Sequence, residues 1–180
     1  IDTVTEIFIR INQKGVVLSN ADFVMSKIAS DEQFGGNRLR KMIDYFCHLM
    51  NDGSFDKTIK QNDKDFVKSD DYKTINWIAS VNDDLYRPTY IDVLRVAYTY
   101  QFSRGKFSDL VALLSGRDLE NRTNLQDIAV ESYQKLGTGL VEFFNKTNYQ
   151  RFINLIQSAG FINRKLISSK GSLNFAYALY

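Results

Sequence analysis

Apolar residues recur at three- and four-residue steps along most of this sequence, and Pro88 is its single proline. A chain with that period and so few backbone breakers buries its apolar faces most readily as packed helices. We therefore expect an all-α fold, a multi-helix bundle of six to nine helices. The clearest stripe is Leu39, Met42, Ile43, Phe46, Leu49 and Met50, set off by Gly35-Gly36-Asn37 before it and Asn51 to Gly53 after it. An earlier helix carries Ala21, Val24, Met25 and Ile28 on one face behind Ser19, with Asp22 three residues on forming a near capping box.

Ile91, Leu94, Ala97 and Tyr98 form another stripe, but Val93, Val96, Tyr100 and Phe102 lie off it. A helix apolar nearly all round is a central one, so the rest should pack around residues 88–103, with Pro88 in the first turn and Gly105 at the end. Phe107, Leu110, Val111 and Leu114 predict a short amphipathic helix stopped by Gly116. Leu125 to Phe144 predicts a long one bent at Gly137 and Gly139. Phe152, Leu155, Ile156 and Ala159 predict another, closed by Gly160, and Leu173 to Tyr180 begins a last one. Val4 to Ile11 reads as a short helix or turn ending at Gly15.

Residues 51–73 break the pattern. Eleven of these 23 positions are Asp or Lys of alternating sign, which predicts a solvated surface excursion with one helical turn near Phe66. The core resumes at Ile75, Trp77, Ile78 and Val81.

The net charge of +2 gives no argument for nucleic-acid binding from composition. One cysteine, Cys47, leaves no internal disulfide framework, and with one histidine, His48, there is no zinc-finger ligand set. No apolar run of about 18 residues is present, so no membrane partner is expected, and no secretory signal pattern opens the sequence. A cytoplasmic location is the default expectation.

Cys47 and His48 are neighbours on a helix, about 100° apart, and so do not face each other as a nucleophile and its base. Asp70-Asp71 and Asp83-Asp84 offer carboxylates, but metal sites need several ligands converging on one point, so no metal site is assigned. Arg10, Asn12, Lys14 and Gly15 combine phosphate-gripping cations, an amide and a residue that lets the backbone approach a ligand. They fit either a ligand edge or an ordinary helix end. Arg38, Arg40 and Lys41 cluster at one helix start, and Arg104, Lys106, Arg117 and Arg122 add basic loops. These are the candidate phosphate contacts of a nucleic acid, set against interspersed acids that favour a plain solvated surface. Tyr86, Tyr90, Tyr98 and Tyr100 read as core rather than as a base-stacking platform.

Three strings in order, EIFIRINQKGVVLSNADFVMSKI, LYRPTYIDVLRVAYTYQFSRGKFSDLVALLSGRDLENRT and LISSKGSLNFAYALY, resemble the N-terminal component of GmrSD-type restriction endonucleases. That component has a ParB/sulfiredoxin-like domain followed by a helical region, and the resemblance spans most of the chain except 51–73. It implies nucleoside triphosphate binding and hydrolysis, with a divalent metal, around an Asp-Gly-Gln-Gln-Arg motif. That motif does not occur here and is expected before Ile1. A His-Asn-His nuclease domain is expected after Tyr180 or in a partner subunit. The Phe-x-x-x-Asn pattern of the family is met by Phe8 and Asn12, which makes Arg10, Asn12 and Gly15 the candidate edge of a nucleotide site. Arg117 and Arg122 would contact DNA or a partner domain.

Since the chain opens on Ile1 and stops at Tyr180 inside an apolar run, we expect a fragment of a larger α/β-plus-helical protein. Residues 1–18 would be the tail of a ParB-like catalytic domain and 19–180 a helical domain. The fragment itself would be non-catalytic, with no cofactor of its own, and part of a modification-sensing phage-defence enzyme. The alternative is a helical protein-protein interaction scaffold. A complete small enzyme ranks last, for want of nucleophile, base and metal ligands.

Overall fold

Several helix starts in this chain, after Ser19, Asp63, Ser69, Asn145 and Ser169, are set by short polar side chains that take up amides a helix cannot satisfy itself. Ser19 Oγ accepts from Asp22 N at 3.2 Å, while the Asp22 carboxylate accepts from Ser19 N at 3.0 Å, so the near capping box of the sequence is a complete one. It opens α1 (Asn20–Ser30), and all four residues of the predicted stripe are buried. The structure, a computed structural model, describes residues 19–81, 83, 85–121 and 125–180. The helix expected at Val4 to Ile11 lies outside them.

Among the described residues there are ten α-helices and no strand, the all-α architecture expected. After α1 come α2 (Gly36–Asn51), α3 (Phe55–Asn62), α4 (Lys64–Lys68), α5 (Asp70–Ile75), α6 (Tyr90–Phe102), α7 (Phe107–Leu114), α8 (Gln126–Phe143), α9 (Lys146–Ser158) and α10 (Lys170–Leu179). Short 3-10 turns fall at Glu32–Phe34, Asn76–Ser80 and Arg164–Leu166. No helix among the described residues is long and apolar enough to cross a membrane.

The α1–α2 corner depends on glycine. Gly35 has φ +72°, and a Cβ on Gly36 would lie 1.8 Å from Ile28 O. Beyond the corner, all six residues of the α2 stripe are buried. Phe46 packs at ring distances of 4.6 Å from Phe144 and 5.8 Å from Phe143. Burying one such side chain stabilises the fold by about 1.5–3 kcal/mol.

The polar stretch 51–73 is mostly exposed, as expected, but holds more than the one helical turn near Phe66. It folds into α3, α4 and α5, which bury Ile59, Phe66, Tyr72 and Ile75. Its acids have structural work: Asp63 caps α4 by accepting from Phe66 N, and Asp71 pairs with Arg38. Gly53 lets the chain pass the turn after α5, since a Cβ there would lie 2.2 Å from Ala79 O.

Helix α6 is central, as its all-round apolarity predicts. It packs against α8 and α10 and also touches α2. It begins two residues after Pro88, where the Asp92 carboxylate accepts from both Thr89 N (2.7 Å) and Thr89 Oγ1 (2.8 Å). It ends at Ser103 with φ 51°, ahead of the glycine expected to stop it. Helix α8 runs unbroken through the predicted bend. Its Gly139 serves close approach instead: a Cβ there would lie 2.8 Å from Ala97 O of α6.

Candidate functional site

The three basic residues at the start of α2 are balanced inside the fold. Arg38 Nε and Nη2 each lie 2.6 Å from the two Asp71 oxygens, a bidentate pair that joins α2 to α5 and raises the guanidinium pKa. Arg40 pairs with Asp44 at 2.7 Å and donates to Met25 O of α1. Lys41 lies 2.7 Å from Asp63, and that hydrogen bond is the main cause holding the carboxyl of Asp63 below its usual range. Arg10, Asn12, Lys14, Gly15 and Arg122 lie outside the described residues.

The basic residues around the α6–α7 turn are less engaged. Arg104 Nη1 is 3.8 Å from Asp109, beyond hydrogen-bonding distance, and Lys106 is the exposed N-cap residue of α7. Arg117 is also exposed. Arg95, which the sequence reading passed over, lies beside them. Its guanidinium sits 4.7 Å from the Phe107 ring centroid, and Nη1 donates to Gly105 O at 3.1 Å. No carboxylate among the described residues pairs with it. Arg95, Arg104, Thr99, Ser103, Gly171 and Phe175 line a cavity of about 600 Å³ between the end of α6 and the start of α10.

No protein-family model matches this chain, and neither a curated protein nor a solved structure does.

A second cavity of about 600 Å³ lies between α2 and α8, lined by apolar residues such as Leu39, Met42 and Val141 and by polar ones such as Arg38, Gln134 and Glu142. The most buried polar cluster joins α6 to α10 through the residues next to Gly171 and Phe175. Tyr86 Oη donates to Asn174 Oδ1 at 2.8 Å, Asn174 Nδ2 donates to Asp92 Oδ1 at 2.7 Å, and Lys170 Nζ lies 2.7 Å from Asp92 Oδ2. Burial pushes the Asp92 carboxyl upward, but Lys170, Thr89 and Asn174 outweigh it and hold the pKa below the usual value. With its oxygens already occupied, this carboxylate fastens α10 to α6 and is a poor candidate for proton transfer.

Burial pushes the Cys47 thiol up to about 12, with Asp44 and Asp92 adding to the effect, so the group stays a thiol at neutral pH. The His48 ring packs on Phe55 at 4.7 Å. Asp70 pairs with Lys73, and Asp83 accepts from Leu85 N; Asp84 lies outside the described residues. No group of three or more His, Cys, Asp or Glu residues is placed to hold a metal among the described residues. Tyr86 and Tyr98 are core residues as expected and Tyr90 is half-buried against Asp22, but Tyr100 departs from the expectation with 52% exposure.

Arg95 did leave a trace in the sequence: it is a lone cation inside the apolar run YIDVLRVAYTYQF. Its convergence with Gly171 and Phe175 left none, because that requires α6 and α10 to meet.

Proposed function

We propose that this chain is the helical region of a GmrSD-like, nucleotide-dependent, modification-sensing DNA restriction protein, and that it touches DNA through the basic surface of the α6–α7 turn and the loop after α7. The observation that carries the DNA contact is the contrast between two basic groups. Arg38, Arg40 and Lys41 each have a carboxylate within 2.7 Å, whereas Lys106 is exposed with no ion pair among the described residues and Arg104 has only a distant one. A cation contributes to phosphate binding by releasing counterions from the nucleic acid, and one already neutralised in the fold has little left to contribute. The resemblance of the three sequence strings supports the assignment to the restriction protein. In this reading residues 1–18 bring Arg10, Asn12 and Gly15 to the edge of the triphosphate site, and other parts of the assembly complete that site and cleave the strand. The helices set the relative orientation of those parts.

Binding to a short DNA duplex at low ionic strength tests the proposal. Affinity should fall steeply with added salt, and the Arg104→Ala, Lys106→Ala double variant should reduce the log–log salt slope by about 2. Absence of duplex binding at low salt would defeat the DNA contact and favour the second reading, a scaffold for a partner protein. A specific observation stands behind that alternative: Phe161, Ile162 and Leu166 are exposed together after α9, Ile162 at 79%.

A further inference from the structure

Glycine in a helix or loop costs stability unless the backbone conformation or a close approach requires it. Gly35, Gly116 and Gly160 have positive φ, while Gly36, Gly53 and Gly139 sit where a Cβ would come within 3 Å of a backbone oxygen. Gly105, Gly137 and Gly171 have neither reason. A Cβ on Gly105 would meet nothing within 4 Å, and one on Gly171 would make only an ordinary 3.6 Å contact with Ser169 Oγ. Gly105 and Gly171 line the same cavity, the one between α6 and α10. Neither position is held to glycine by a clash, so both leave main chain bare at the wall of this cavity.

We infer that this cavity binds the phosphoryl group of a nucleotide. Arg95 and Arg104 line it without a carboxylate of the described residues in hydrogen-bonding range, and Asp109, at 3.8 Å from Arg104, is the acid that a ligand would displace. Arg95 is already oriented by the Phe107 ring and Gly105 O, which lowers the entropy lost on binding. Thr99 and Ser103 bring hydroxyls to the same walls. Gly171 lies in the first turn of α10, where main-chain amides have no acceptor within the helix; Ser169 Oγ takes the amide of Ser172 and leaves that of Gly171. Two guanidiniums, two hydroxyls and a helix N-terminus suit a multi-oxygen anion better than a single carboxylate. Phe175, 58% exposed on the wall, presents a ring on which a base can stack. The volume of about 600 Å³ lies within the range of small-ligand sites.

Calorimetric titration of the intact chain at low ionic strength with inorganic phosphate, adenosine 5′-monophosphate and a short single-stranded oligothymidylate tests the site. The mononucleotide should bind saturably and more tightly than phosphate. Arg104→Gln and Arg95→Gln should each weaken it about ten-fold, and Phe175→Ala should weaken the mononucleotide but not phosphate. Gly171→Ala should keep or raise the Tm while weakening binding, a combination that a purely structural role does not produce. Tighter binding of the oligonucleotide than of the mononucleotide assigns the phosphoryl group to a nucleic acid strand, and the reverse order to a free nucleotide. No saturable binding of any of the three probes, or binding unchanged in both Arg104→Gln and Gly171→Ala, overturns the inference. Arg104 is shared with the proposed duplex contact, but the two fail separately: mononucleotide binding without duplex binding leaves this site standing and removes the other.

Discussion

Tyr98 and Tyr177 show how one substitution can take opposite signs. Both rings are buried in the core. The Tyr177 hydroxyl donates to Phe143 O at 3.0 Å, whereas that of Tyr98 has no hydrogen-bond partner among the described residues. Burial, with the charge of Asp109 beyond it, pushes Tyr98 up to about 12. Tyr177→Phe should therefore cost about 1 kcal/mol by orphaning a carbonyl, while Tyr98→Phe should be neutral or stabilise by up to about 1 kcal/mol, since it removes a desolvated group that gains nothing. Urea midpoints of the two variants check the sign. The sequence could place these tyrosines in a core but could not rank them, because the partner of each hydroxyl lies on another element. The same holds for the basic residues. Arg38, Arg40 and Lys41 look like Arg104 and Lys106 on the page, and only the positions of Asp71, Asp44 and Asp63 separate them.

Among the elements, α8 carries a paired test of packing. Gly139→Ala would drive a methyl group to 2.8 Å from Ala97 O and Gln101 Cγ of α6, which should cost about 1–3 kcal/mol as the helices separate. Gly137→Ala, two residues earlier, meets only Leu39 Cδ2 at 3.6 Å and should gain up to about 1 kcal/mol of helix propensity. Thermal denaturation of both variants distinguishes close approach from the bend that the sequence suggested. Helices α1 and α2 were legible because stripe and cap are both local, Ser19 with Asp22 and Leu39 through Met50. Helices α3 to α5 were not. Their apolar residues, Phe55, Ile59, Phe66, Tyr72 and Ile75, fall at no single period across the breaks, and their acids are anchored by Arg38 and Lys41 from far back in the chain.

For the whole molecule, acid stability follows from how α10 is held. The Asp92 carboxyl sits below its ordinary pKa in the folded chain. Its stabilisation is therefore complete above the unfolded value, about 3.9, and is lost as pH falls through the lower folded value. Asp92→Asn should be less stable than the parent at neutral pH. The gap should close as pH falls below about 4, because the parent loses in acid what the variant lacks throughout. Urea midpoints across that range measure it. An all-helical chain with a central aromatic helix could be read from periodicity alone, since α6 is apolar all round. Which helix covers it could not, because Asn174 and Lys170 reach Asp92 from about eighty residues away.

That fastening has a mechanical side. A load on α10 does not reach α6 only through the long route of connecting chain; it arrives directly through Lys170 and Asn174 at the helix's first turn. Gly171, the very next residue, lines a cavity that runs along α6 past Arg95 and Thr99 to Ser103. Drawing α10 away would thus unhook the start of the central strut and open the cavity beside it in a single displacement.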